Sequence, residues 1–399
     1  MNVFKNTEIA REYNVSDPTV MNWIQAATEG KNNLQLTKVK EKFKIIVNEH
    51  NQAELLRLSK ISFVYRNKIQ KSIVAVNPEL YEILNESQII ELINELKINK
   101  KIPLKFWYIS QGGKLWDKYV NEGLKNGTYI VSDITDSLIE QSFDFLLKKA
   151  SKFKKINIID LGPGNGYALK NLLIKLKDRS LMGKYIAIDV SSSILDVAKE
   201  NLKGLLGEQD VQTYKLDFER YDLSDILFEN KLKNEAINFV FLAGGTYGSL
   251  ENRGKFLKFV QTSLDDEDIF IVSNKVSNKK SKTELGHLDS ALDDLAWIPK
   301  MLGINVKDCE FEKRYDSDLE SRAVFLKLDQ DYEIQFKVDG SIKTVNFFQG
   351  EEIRLWKHHM STLREVLLEL DQADLNLIHS TTTQNLSDLL FVCEPKKEL

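Results

Sequence analysis

Three segments of this chain have the residue types and spacing to seat a nucleoside. The first is Asp160-Leu161-Gly162-Pro163-Gly164-Asn165-Gly166, which follows an apolar run from Ile156 and precedes helical spacing over residues 167–176. Glycines there let a ligand approach the main chain, because no Cβ stands in the way. The second is Asp189, which ends an apolar strand over residues 184–189 and lies 29 positions after Asp160. A carboxylate at that point can accept both hydroxyls of a ribose. The third is Asp217-Phe218, closing a strand from Val211, with an acid able to accept the amino group of adenine. Strands are also expected at 238–242 and 268–273, with helices around 193–202 and 253–264 between them. Strand, glycine bend and helix in alternation predict an α/β fold, a doubly wound sheet that binds ligands beyond the carboxyl ends of its strands.

The bend excludes two other nucleotide sites. A nicotinamide-binding turn needs glycine at position 167, where Tyr167 stands, and no lysine with Ser or Thr follows as a P-loop requires. Asp-Leu-Gly-x-Gly-x-Gly, a strand-terminal Asp189 and Asp217-Phe218 together resemble the Rossmann-like S-adenosylmethionine-dependent methyltransferases. The resemblance implies S-adenosylmethionine as cofactor, held by Asp160, Gly162, Gly164, Gly166, Asp189, Asp217 and Phe218.

Motifs after the fourth strand narrow the acceptor. Neither Cys309 nor Cys393 follows proline, which argues against cytosine-C5 chemistry, and the loop 243–251 has no proline of the kind that amino-methylating DNA enzymes carry. That loop, Ala243-Gly244-Gly245-Thr246-Tyr247-Gly248-Ser249-Leu250-Glu251, is similar to the histidine-specific methyltransferases of ergothioneine biosynthesis. So are Ile102-Pro-Leu-Lys-Phe-Trp-Tyr108 with Gly112 and Leu115-Trp116, the position of Tyr129, and Phe347-Phe-Gln-Gly350-Glu351-Glu352-Ile353-Arg354. The likeness spans about residues 100 to 395. It implies a small-molecule methyl acceptor met by Tyr129, Gly244, Thr246, Ser249, Trp356 and His358, with Tyr108 as the catalytic group that takes or relays a proton. The chain departs from the family where an Asn and a Glu grip the substrate: Ser249 and Leu355-Trp356 stand there. An indole cannot accept an imidazole N–H as a carboxylate does, so an amine of an amino acid or related compound is expected in place of histidine. No carboxylate stands at ligand spacing from His358 and His359, and no metal is expected.

The N-terminus has a different character. Residues 1–72 hold twelve Lys/Arg and seven Asp/Glu, whereas the whole chain carries a net charge of −4. Two short helices meet at Asn14-Val15; Ser16 caps the second, Pro18 sits in its first turn, and a hairpin and a further helix follow. The order resembles winged helix-turn-helix modules. It implies Thr19, Asn22 and Gln25 facing bases and Lys31, Lys38, Lys40 and Lys42 meeting phosphates; a dimerisation role, giving a homodimer, explains the same apolar spacing.

The expected domains are a winged helix-turn-helix module (1–72), a helical linker with the first part of a substrate subdomain (73–128), and the cofactor-binding Rossmann-like domain (129–285). An inserted α+β substrate subdomain (286–358), with antiparallel strands at 322–328, 332–338 and 342–347, and the last part of the methyltransferase sheet (359–399) complete them. With two cysteines, no apolar run of membrane-spanning length and a polar start, a cytoplasmic chain without an iron–sulfur cluster is expected. Three function classes remain: an enzyme with a DNA-binding regulatory module, an enzyme whose module only dimerises, and a transcriptional regulator sensing a metabolite through an inactive fold.

Overall fold

The computed structural model describes residues 3–39, 42–66, 71–127, 131–207, 210–231, 235–276 and 295–396. Its strands are β1 (Leu36–Val39), β2 (Lys42–Ile45), β3 (Lys71–Ala75), β4 (Lys155–Leu161) and β5 (Met182–Asp189). They continue with β6 (Val211–Lys215), β7 (Ala236–Leu242), β8 (Ile269–Lys275), β9 (Glu310–Asp316) and β10 (Ser321–Lys327). The last are β11 (Asp331–Val338), β12 (Ser341–Phe347), β13 (Glu352–His359), β14 (Leu375–Thr382) and β15 (Asp388–Pro395). The chain divides into two compact units. One comprises Met1–Ile102, Ala296–Glu312 and Phe325–Leu355; the other comprises Pro103–Leu295, Lys313–Val324 and Trp356–Leu399.

The second unit is built on a seven-stranded sheet in the order β14-β15-β8-β7-β4-β5-β6. β4 through β8 run parallel and β14–β15 form an antiparallel edge pair. Strands covered on both faces read as continuous apolar runs, and every residue of β7 is buried. Ile156, Ile158, Tyr185, Ala187, Phe239 and Phe241 pack on one side with helices Val131–Lys149, Lys170–Asp178 and Ser192–Leu206. Ile159, Leu161, Ile186, Ile188, Val240 and Leu242 pack on the other with helices Ser224–Asn230, Arg253–Ser263 and Leu363–Gln372. Because β4, β5 and β7 run parallel, their carboxyl ends and the loops after them lie together at one end of the sheet.

Polar side chains buried at the opposite ends of β4 and β7 satisfy one another. Asn157 Nδ2 donates to Asn238 Oδ1 at 3.0 Å and to the Asn230 carbonyl at 3.3 Å, and its Oδ1 accepts the Lys184 N–H at 3.0 Å. Asn238 Nδ2 in turn donates to Asp268 at 3.1 Å. Asn157→Ala strands several of these buried groups at once. It is expected to lower unfolding free energy by about 2–3 kcal/mol in urea titration.

In the first unit, helices Asn6–Glu12 (α1) and Asp17–Thr28 (α2) meet at a corner plugged by Val15, where Asn14 takes φ 50°. Ser16 Oγ accepts the Thr19 N–H, capping α2 as its sequence predicts. β1 and β2 form the expected hairpin, and helix Glu49–Arg66 (α3) returns beside it. Ile9, Val20, Trp23, Ile24, Ile45 and Leu55 form the core of this segment. Asn51 of α3 donates to the carbonyls of Gln35 and Ile46, both at 2.8 Å, and ties the helix to the hairpin.

Two expectations are corrected. The stretch from residue 73, read as helical, opens in β3, which pairs in parallel with β11; helices Glu79–Ile83 and Glu86–Asn99 follow. Lys71-Ser-Ile-Val-Ala75 is β-branched and alternating, but its strand partner lies more than 250 residues on. The strand expected at 322–328 does not join β11 and β12; β10 lies between β13 and β9 in a separate three-stranded sheet. β13 contains Lys357-His358-His359, too polar to read as a strand. At the start of the expected inserted subdomain, the described residues begin at 295 and contain helix Trp297–Met301. Among the described residues, no helix is long and apolar enough to cross a membrane.

Candidate functional site

A cavity of about 570 Å³ opens in the second unit at the carboxyl edge of the sheet. Asp160, Gly162, Gly164, Asp189, Asp217 and Phe218 line it, as do Tyr108, Gly244, Thr246, Ser249, Trp356 and His358. Three expected residues stand apart. Gly166 does not reach the cavity: at φ +78° it faces helix Ser192–Leu206, where an added Cβ would lie 2.9 Å from Leu202 Cδ1. Its glycine serves close helix packing. Tyr129 and Lys40 lie outside the described residues.

The bend after β4 needs its other two glycines for conformation and for space. Gly162 and Gly164 take φ +66° and +56°, the left-handed region, and a Cβ on Gly164 would stand 3.1 Å from Trp116 Nε1. Trp116 belongs to an aromatic group with Trp107, Tyr108 and Tyr119, whose neighbouring ring centroids lie 5.1–6.3 Å apart. The Tyr108 carbonyl accepts Ser191 Oγ–H at 2.7 Å, joining this group to the start of helix Ser192–Leu206.

The electrostatics are set by buried acids. Asp160 accepts the Tyr185 hydroxyl at 2.7 Å, yet burial still pushes its carboxyl up to about 7. Asp189 accepts the Ser191 N–H at 2.8 Å, with the Val190 N–H as its other hydrogen-bond donor. Burial first, and then the negative charge of Asp160 and Asp217, raise Asp189 to about 7. These groups suit the cofactor the sequence implies, because two adjacent ribose hydroxyls would give Asp189 the donors it lacks. Asp217 lies past the end of β6, and Lys105 reaches its Oδ2 at 2.5 Å.

Cofactor binding should therefore depend on pH. Hydroxyl donors favour the carboxylate, so affinity should fall about tenfold from about pH 8 to about pH 6 as Asp189 takes up its proton, and titration calorimetry reads this directly. The free protein follows the opposite sign. Its folded state holds protons that the unfolded chain releases near the ordinary carboxylate pKa, so stability from these two groups is full below that value and is lost as the pH rises through about 7.

The far wall carries the glycine loop and β13. Gly244 and Gly245 take φ +73° and +84°, and their N–H groups donate to Ser273 Oγ at 3.0 Å and to the Ser273 carbonyl at 3.2 Å. Ser249 Oγ lies 3.3 Å from His358 Nδ1, and the His358 ring stacks on Trp356 with centroids 5.9 Å apart. Burial, reinforced by the positive charge of Lys275 and Arg322, drives His358 down to about 3. Its imidazole is neutral at ordinary pH and too weak a base to take a proton from an amine. Lys105 and Trp107, quoted in the sequence without a role, and Lys275 and Arg322, not singled out there, also line the cavity. Among the described residues, no group of three or more His, Cys, Asp or Glu side chains could hold a metal ion.

The residues expected to meet DNA lie in the first unit. Asn22, Gln25, Lys38 and Lys42 are exposed. Thr19 is half-buried with its hydroxyl 2.7 Å from Ser16 Oγ, and Lys31 pairs with Glu29 at 2.5 Å. Pro18, beside Thr19, packs on the turn at Gly350, where an added Cβ would meet it at 3.7 Å.

A family model described as histidine-specific methyltransferase, SAM-dependent, matches residues 86–394, which is 309 of the 399 residues. Among solved structures, an S-adenosylmethionine-dependent methyltransferase from Clostridium acetobutylicum is 12% identical, covers 71% of this chain and 100% of its own, and has a TM-score of 0.39. DesVI of Streptomyces venezuelae is 11% identical over 70% of this chain and 97% of its own, with a TM-score of 0.35. The glycopeptide N-methyltransferase MtfA, solved with S-adenosyl-L-homocysteine, is 11% identical over 64% of this chain and 88% of its own, with a TM-score of 0.34. No curated protein matches the chain.

Proposed function

Because this chain belongs to the SAM-dependent, histidine-specific methyltransferase family, we propose that it moves a methyl group from S-adenosylmethionine to the amine of a small molecule, an amino acid or related compound other than histidine. The observation that carries the cofactor half is Asp189, a carboxylate short of donors that faces a cavity beyond a glycine bend. Bound S-adenosylmethionine supplies an electrophilic methyl group on a sulfonium sulfur. The chain's own part is positioning and exclusion of water. On this reading Gly162, Gly164, Asp189, Asp217 and Phe218 hold the nucleoside, with Asp160 bracing the bend through Tyr185. Gly244, Thr246, Ser249, Trp356 and His358 orient the acceptor, and Tyr108 takes or relays the amine proton.

The acceptor half rests on Trp356. An indole stacked on a neutral His358 offers a flat face and no carboxylate, which disfavours an imidazole that must donate a hydrogen bond. The test is incubation with S-adenosylmethionine and a panel of amino acids and amines, read by mass spectrometry for a product heavier by one methylene. Methylation of an amine other than histidine is expected. Histidine as the preferred acceptor would overturn this half, and cofactor binding with no turnover across the panel would favour a metabolite sensor.

A DNA-contacting role for the N-terminal module is a second reading, favoured by the exposed Asn22, Gln25, Lys38 and Lys42 on α2 and the hairpin. Duplex DNA retained by the full chain should then be released steeply as salt rises, and Lys38→Ala with Lys42→Ala should lower the salt slope. Retention that ignores both substitutions would leave the module a dimerisation element.

A further inference from the structure

The cavity is lined by charges of both signs, and they are not mixed. Asp160, Asp189 and Asp217 belong to the cofactor side, whereas Lys275 and Arg322 line the cavity near His358. Lys275 ends β8, two residues after the Ser273 that holds the glycine loop. It is half-buried, and among the described residues its ammonium has no ion pair. Asp388, its register partner on β15, accepts the Ser387 hydroxyl at 2.6 Å. The two charges that act most strongly on the His358 ring are those of Lys275 and Arg322. His358 Nε2 is itself buried without a hydrogen-bond partner among the described residues. With Ser249 donating its hydroxyl to Nδ1, the single N–H of the neutral ring falls on Nε2 and makes it a donor. Positive charge gathered beside an unfilled N–H donor favours an anionic guest.

We infer that Lys275 and Arg322 hold a carboxylate of the methyl acceptor, so that the chain selects amino acids over amines that carry no acid. This rests on the methyl-transfer reading above and deepens its acceptor half. A carboxylate is planar and has two acceptor oxygens, so it can take hydrogen bonds from an ammonium and a guanidinium at once. The His358 N–H is a neutral third donor beside them. An amine without an acid would bring only positive charge to a wall that is already positive, and that repulsion rejects it. Lys275 is then a specificity-determining residue, which decides what binds and takes no part in the methyl transfer. The cofactor has a carboxylate of its own, and its binding must be read separately from that of the acceptor.

Titration calorimetry of the full chain saturated with S-adenosylhomocysteine tests this, with each amino acid of the panel set beside its carboxamide. The amide keeps the shape of the acid and removes its charge. Aspartate beside asparagine and glutamate beside glutamine test a side-chain carboxylate in the same way. At least one acid should bind, and at least about 100-fold more tightly than its amide, because the amide leaves the charged groups of the wall unpaired. Lys275→Met should cut that ratio to about tenfold or less by weakening the acid, whereas Lys275→Arg, which keeps the charge, should retain most of it. Both variants should bind S-adenosylhomocysteine itself within about threefold of wild type, and an unchanged thermal midpoint shows that the fold is intact. Wild type that binds acids and amides alike, or binds no acid, overturns the inference. So does a Lys275→Met chain that keeps the full ratio. If that variant instead loses S-adenosylhomocysteine about tenfold, the cations serve the cofactor's own carboxylate and the inference is wrong. An acid that binds as expected but gains no methyl group from S-adenosylmethionine leaves the inference standing and sinks the methyl-transfer reading, which is a separate failure.

Discussion

Asp189→Asn is expected to weaken binding of S-adenosylhomocysteine about 100-fold while leaving the protein at least as stable as wild type. The substitution keeps the size and shape of the side chain but places an amide where a carboxylate would accept two hydroxyls. Hydrogen bonds to a charged acceptor contribute about 1.5–3 kcal/mol each, so two of them compromised amount to about 3 kcal/mol. The stability half follows from the same burial. Burial, with the negative charge of Asp160 and Asp217 after it, raises the Asp189 carboxyl to about 7, and the Ser191 and Val190 N–H groups offset this only in part. A neutral side chain relieves that cost, so binding and folding should move in opposite directions, as expected when a functional group is held against its own preference. Calorimetry and a thermal melt on the same sample read both. A variant that binds with unchanged affinity, or that loses binding only because it melts far below wild type, would contradict the assignment.

Gly248→Ala should be the most damaging change in the acceptor half. An added Cβ would stand 2.5 Å from His358 Cε1 and 2.5 Å from the His359 carbonyl oxygen. The second of these is main chain of β13 and cannot swing aside as a side-chain tip can. Overpacking of this kind costs about 1–3 kcal/mol and moves β13, with Trp356 and His358, relative to the glycine loop. Turnover should fall at least about 100-fold, as misplacement near reacting groups does, with cofactor affinity changed less than about threefold because the bend after β4 is untouched. Gly244→Ala should cost less in folding. Nothing lies within 4 Å of its added Cβ, so only its φ of +73° is penalised, at about 1 kcal/mol.

The contrast between what was and was not legible in the sequence follows from range. β4, β5 and β7 are buried on both faces, so their apolar runs mark them without tertiary information, and the Gly162–Gly164 bend and Asp189 are fixed by position at strand ends. The capped α2 and the β14–β15 pair are likewise local signals. β3 could not be read in this way, because its strand partner β11 is remote in the chain and its alternation sits beside a helical stretch. β13 was hidden by its polar end, which is polar because His358 turns toward the cavity. Gly166 looked like part of the nucleoside turn, yet it answers to Leu202 across a helix contact that no motif encodes. Lys105 stood within the Ile102–Tyr108 segment but no role could be given to it there, since its pairing with Asp217 appears only in the fold.

The most direct measurement is difference electron density from crystals of the full chain grown with S-adenosylhomocysteine. Density for the nucleoside should fill the cavity between the Gly162–Gly164 bend and the far end of β5, with both ribose hydroxyls on the Asp189 carboxylate. Density at another site, or a ribose turned away from Asp189, would contradict the account.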